Sequence, residues 1–101
     1  MAYYDLQMIK KNLEVLLVDT SIDDTLDLFG AEADAWVNSI MCLGVDMSPI
    51  PRIIREISSN YAAGRYLGRI KEDPRGKELI ALAERQLNQY INGSGHVVVF
   101  G

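Results

Sequence analysis

Apolar residues recur at helical spacing along most of the chain. Leu6, Ile9, Leu13, Leu16 and Leu17 form a first stripe, with Lys10, Lys11, Asn12 and Glu14 on other faces. Asp5 stands where a carboxylate caps the free N–H groups of a first turn, so the pattern predicts a short amphipathic helix beginning after it. Val18-Asp19-Thr20 reads as a break, and Ser21 with Asp24 three residues later approximates a capping box. The second predicted helix carries Ile22, Leu26, Phe29, Ala33, Trp36, Val37 and Ile40 on one stripe. Asp23, Asp24, Asp27, Glu32 and Asp34 crowd its N-terminal part, where the helix dipole favours negative charge. Gly30 inside this stretch costs about 1 kcal/mol relative to alanine and marks a kink or a close approach.

The segment from Cys42 to Met47 breaks the pattern. Ser48-Pro49-Ile50-Pro51 then predicts a new start, with a capping hydroxyl followed by proline in the first turn. Ile50, Ile53, Ile54, Ile57, Tyr61 and Leu67 form the third stripe, and Ala62, Ala63 and Gly64 let a neighbouring helix approach closely. Asp73-Pro74 is a further cap followed by a residue suited to a first helical position. Leu79, Ile80, Ala83, Leu87, Tyr90 and Ile91 supply a fourth stripe that Asn92-Gly93 ends. The expected fold is therefore all-α, a small bundle of four helices over residues 1–92, with residues 93–101 as an extended, strand-like C-terminal tail.

That tail differs in kind from the rest. Gly93-Ser94-Gly95 has the composition of a hinge, and His96, Val97, Val98, Val99 and Phe100 have the β-branched and aromatic content of a strand about 17 Å long. With no partner strand evident in its own chain, it either docks on the sheet edge of another subunit or protein, or packs over the helices as an irregular tail, or is disordered.

Length and composition narrow the function. A chain of 101 residues, 49% hydrophobic and 24% charged, is expected to form one small domain. Its longest apolar runs, Val15-Leu16-Leu17-Val18 and Val97-Val98-Val99-Phe100, are far short of the roughly 20 residues of a membrane span. Met1 followed by Ala2, Tyr3, Tyr4 and Asp5 does not read as a signal peptide. Cys42 is the sole cysteine, which excludes an internal disulfide framework and a multi-cysteine zinc site. Beside Met41 and Leu43 it reads as a small buried hydrophobe.

The net charge of −4 hides an asymmetry. Residues 1–48 carry nine acidic and two basic side chains, while residues 49–101 carry five acidic and eight basic, so the halves stand at −7 and +3. A net acidic chain without a basic tract does not look like a duplex-binding protein. Asp23, Asp24, Asp27, Arg52, Arg55, Arg65 and Arg69 read instead as charge that faces a neighbouring subunit or DNA, or as ordinary solvated helix faces.

No catalytic, cofactor-binding or metal-binding residue is expected. Asp23 and Asp27 share a helix face but lack the oxygen-ligand pattern and turn glycine of a calcium loop. His96 has no serine and acid constellation around it in sequence, and Gly64, Gly68 and Gly76 do not form a phosphate-cradling loop. Tyr61 and Tyr66 with Arg65 and Arg69 have the residue types that stack on bases and contact phosphates, although Tyr61 belongs to the apolar stripe.

The order of these elements resembles the small head-tail connector proteins (adaptor or head-completion proteins) of tailed bacteriophages. The resemblance is carried by the short opening helix and by Asp19-Thr20-Ser21-Ile22-Asp23-Asp24 leading into Ala31-Glu32-Ala33-Asp34-Ala35-Trp36-Val37. It continues through Pro49-Ile50-Pro51-Arg52-Ile53-Ile54-Arg55-Glu56-Ile57, Tyr61-Ala62-Ala63, and the closing run from Ala83 through Gly93. The resemblance implies a structural, non-enzymatic subunit of the virion neck, made in the host cytoplasm. It would form a homo-oligomeric ring of about twelve copies, closed through heterologous contacts. The implied partners are the portal protein, the next neck or tail-completion protein and, through non-specific contact, packaged DNA; no membrane is involved. The tail residues His96, Val97, Val98, Val99 and Phe100 would add a strand to the portal or to an adjacent subunit. The competing expectation is a small helical regulatory or nucleic-acid-binding module that uses Arg52, Arg55, Arg65 and Arg69 as its phosphate-contacting face.

Overall fold

Asp5 ends an extended N-terminal segment and opens the first helix. Its carboxylate accepts the Gln7 N–H at 2.8 Å, and α1 runs Leu6–Leu13. In the computed structural model, which describes residues 2–14, 20–43 and 47–93, three further helices follow: α2 (Asp23–Met41), α3 (Arg52–Arg69) and α4 (Arg75–Gly93). The described residues thus form an all-α fold of four helices without a strand. Leu16 and Leu17 of the first stripe, and the tail residues His96, Val97, Val98, Val99 and Phe100, lie outside the described residues.

α3 is the centre of the arrangement. It packs against α1, α2 and, most extensively, α4. Its sequence explains this, because Ile54, Ile57, Ala62, Ala63 and Leu67 are buried together with Ser58, Ser59 and Gly64, so apolar and small residues occupy most of its circumference. The core has two parts. One joins Ile9, Leu26, Phe29, Ala33, Ala62, Ala63 and Tyr66, with Phe29 and Tyr66 edge to face at 6.0 Å between ring centres. The other joins Tyr3, Val37, Ile54, Ile57, Ala83 and Leu87, and half-buried Tyr61 packs against both.

The segment before α1 is held between α2 and α3 by polar contacts. Asp34 of α2 accepts the Tyr3 N–H at 3.0 Å, the Tyr4 N–H at 3.1 Å and the Ser58 hydroxyl at 2.7 Å. The Ser59 hydroxyl accepts the Asp5 N–H at 2.9 Å. Tyr3 is fully buried, donates its hydroxyl to Asn38 at 2.6 Å and accepts the Met47 N–H at 2.7 Å. Gly30 is the close approach that its position in the stripe foreshadows: a Cβ there would lie 2.5 Å from the Tyr4 ring.

Several local expectations need correction. Lys10 is buried rather than on a solvent face, because its stem crosses the α1–α2 contact to bring the ammonium 2.6 Å from Asp23. α2 has Ile22 at its N-cap and no side-chain cap bond, so Ser21 and Asp24 do not form the capping box; Asp23 sits in the first turn, where it meets Lys10. α3 starts after Pro51, whose extended backbone (φ −63°, ψ 145°) holds the N-cap, so the Ser48 hydroxyl is not the cap. Cys42 is exposed rather than buried. It closes α2 in the left-handed conformation (φ 58°), with its N–H turned back to the Asn38 and Ser39 carbonyls, and this carries its side chain off the apolar stripe.

The Asp73 cap stands as read from the sequence. Its carboxylate accepts the Arg75 N–H at 2.9 Å and the Arg75 guanidinium at 2.9 and 3.1 Å, and that side-chain bond holds the carboxyl below its ordinary range. Just beyond it, α4 crosses α3 at glycine contacts. A Cβ on Gly76 would lie 2.6 Å from the Gly64 carbonyl oxygen and 2.8 Å from the Gly68 nitrogen, both backbone atoms that cannot swing aside. Gly68 itself faces open space. Gly76→Ala should therefore destabilise the protein by about 1 to 3 kcal/mol, as overpacking does. Gly68→Ala should leave stability unchanged or raise it by up to about 1 kcal/mol through lower chain entropy in the unfolded state. Urea denaturation of the two variants checks the contrast, and equal effects would contradict it.

Candidate functional site

The charged residues singled out in the sequence fall on three separate parts of the surface. Asp23 and Asp27 point into the subunit: Asp23 meets Lys10, and Asp27 accepts the Tyr4 hydroxyl at 2.7 Å. Asp24 is exposed. The Lys10–Asp23 pair is mostly out of water, with side-chain exposures of 5% and 25%, so removing one partner alone would cost about 3 to 5 kcal/mol. Two of the three acids are thus committed to packing α2 against α1 and the segment before it.

The arginines divide in the same way. Arg52 stands at the start of α3 with its side chain 84% exposed, one turn from Glu56 at 3.6 Å, and Arg55 beside it is half-buried. Arg65 and Arg69 lie at the other end of α3 and converge on Glu32 of α2 at 3.4 and 3.7 Å. Their guanidinium groups also rest over aromatic faces, Arg65 at 5.8 Å from the Tyr61 ring centre and Arg69 at 5.7 Å from that of Phe29. Ten residues of helix, about 15 Å of rise, separate Arg55 from Arg65, so the four arginines do not gather into one cluster.

The rings that could have taken a base are already engaged. Tyr61 is stacked on Trp36 at 4.1 Å between centres and 10° between planes, and Tyr66 is buried against Phe29. Among the described residues, no group of three or more histidine, cysteine, aspartate or glutamate side chains is arranged to hold a metal ion, and no helix is long and apolar enough to cross a membrane. Comparison with protein-family models, curated proteins and solved structures finds no match. The fold and its surface therefore carry the functional argument.

That surface has apolar as well as charged features. Leu28 is 69% exposed, and Ile70 and Ile40 are about half exposed. Leu28 lies one turn before Glu32 on α2, which puts an apolar side chain beside the carboxylate that receives Arg65 and Arg69. Sequence reasoning passed over Glu32 as one acid among several and placed Ile40 in the buried stripe. No signal in the sequence pattern sets either residue apart: Glu32 flanks the apolar stripe among polar positions, and Ile40 continues that stripe.

Tyr4 is the titratable group most affected by this packing. Burial, the hydrogen bond to Asp27 and the negative charges of Asp27 and Asp34 push its phenol up to about 12 from the usual 10. The neutral phenol is the form that donates to Asp27. A folded value above the unfolded one means that this contact's stabilisation is complete below about pH 10 and is lost as pH rises through about 12. Ultraviolet titration of wild type and Tyr4→Phe checks this. The substitution should remove a phenol that ionises near pH 12 and weaken the alkaline loss of stability; removal of one that ionises near 10 would show that the bond to Asp27 is absent in solution.

Proposed function

We propose that this chain is a structural subunit of a viral head-tail connector. It takes its place in the virion neck as a homo-oligomeric ring of about twelve copies, closed by heterologous contacts. The ring joins the portal protein to the next neck or tail-completion protein, surrounds packaged DNA with at most non-specific contact, and performs no chemistry of its own. The observation that supports this reading is the order of elements. The described parts of the segments that carry the resemblance fall in sequence on α2, on the start and middle of α3 and on the second half of α4, behind a short opening helix. They belong to a single unit built around α3. A subunit of this kind needs two different outer surfaces, one for each neighbour, and the two ends of α3 differ in this way, with Leu28 beside the Glu32, Arg65 and Arg69 group at one and the exposed Arg52 at the other. The C-terminal residues His96, Val97, Val98, Val99 and Phe100 serve as the docking tail for the portal or an adjacent subunit.

A second reading, the small helical regulatory or nucleic-acid-binding module, draws its support from the 84% exposed side chain of Arg52. Native mass across a concentration series, with electron microscopy of any large species, separates the two. The connector reading expects a closed ring of about a dozen subunits. A stable dimer that binds duplex DNA with a steep salt dependence would contradict it and favour the module.

A further inference from the structure

Trp36, Ile40, Glu84, Leu87 and Asn88 line a groove of about 210 Å³ between the C-terminal half of α2 and the outer half of α4. Leu87 is buried, and one face of the Trp36 ring is stacked on Tyr61. Ile40 leaves 47% of its surface exposed here although it continues the apolar stripe of α2. Covering such a side chain removes apolar surface from water and so favours an occupant.

We infer that the occupant of this groove is the chain's own C-terminal segment, Val97-Val98-Val99-Phe100, folded back along α4 of the same subunit. The lengths agree. Asn88 and Glu84 lie five and nine residues before Gly93, which is about 7.5 and 13.5 Å back along the helix axis. Ser94, Gly95 and His96 span at most about 10 Å when extended, and the four residues after them span about 13 Å more. Gly95, beyond the helix end, has the backbone freedom that the reversal of direction requires. The segment's four consecutive apolar side chains match Trp36, Ile40 and Leu87, while the Asn88 amide offers both a donor and an acceptor to an extended backbone. A tether this short gives the segment a local concentration in the millimolar range, well above that of a second copy in dilute solution. This inference concerns the isolated subunit and does not rest on the connector reading.

Trp36 is the sole tryptophan, so its fluorescence reports on the groove directly. The test compares the full chain with Val98→Asp and Val99→Asp, one for each face of an extended segment, and with a truncation after Gly93. Far-UV circular dichroism checks that the helices persist. Truncation and at least one of the two substitutions should shift Trp36 emission to longer wavelength and raise its acrylamide quenching constant roughly two-fold, as contacts on one side of the ring are lost. The full chain should show the same protected emission at every concentration at which native mass finds a monomer. Unchanged emission and quenching in all three variants would overturn the inference. Protection that appears only where larger species form would also overturn it, because the segment would then sit on another copy.

Discussion

The backbone N–H groups of Tyr3 and Tyr4 end between α2 and α3, beside the fully buried Tyr3 side chain, and a single carboxylate, Asp34, accepts both. At this part-buried site each donor left without a partner would cost up to about 1 to 3 kcal/mol, and bonds to a carboxylate are among the stronger ones. Asp34 also accepts the Ser58 hydroxyl, so one side chain of α2 fixes both the N-terminal segment and the central helix. The rest of the fold follows from that anchorage. With residues 3–5 in place, Asp5 is positioned to cap α1, the Tyr4 ring covers Gly30, and Lys10 reaches Asp23. Asn12, Asn60 and Gln86 then continue a polar chain across α1, α3 and α4 at 2.7 and 2.9 Å.

The same logic explains why so little of the conspicuous charge is free to act outward. An acid-rich helix beside a short basic one reads as a solvated surface in sequence, yet Asp23, Asp27 and Asp34 face Lys10, Tyr4 and the N-terminal backbone. Outward features include Leu28 beside the Glu32, Arg65 and Arg69 group at one end of α3, Arg52 at its other end, the Trp36 and Ile40 groove next to α4, and exposed charges of both signs along α4.

The helices were legible because their signals are local. The 3.6-residue periodicity, Asp5 and Asp73 as caps, and the small residues around Gly64 each act within a turn or two, and the structure keeps them. What sequence could not give is the partner of a polar group far along the chain. Lys10 and Asp23 are separated by a break, Asp34 serves residues about thirty positions earlier, and nothing in their spacing distinguishes them from surface charge. Cys42 was misread for a related reason, because apolar neighbours say little about a residue that adopts a left-handed cap. On the candidate site, sequence identified the arginines and acids, but only the fold showed that they lie apart and that Tyr61 and Tyr66 are occupied.

The central claim is that the N-terminal segment is an integral part of the packing, held by Asp34, and not a fraying end. Amide hydrogen exchange at Tyr3 and Tyr4 tests it most directly, measured by NMR under native conditions in wild type and in Asp34→Ala. In wild type the two amides should exchange as slowly as those in the middle of α3, through global unfolding, and Asp34→Ala should abolish that protection. Wild-type amides that exchange as fast as those of an unstructured terminus, while α3 stays protected, would contradict the account.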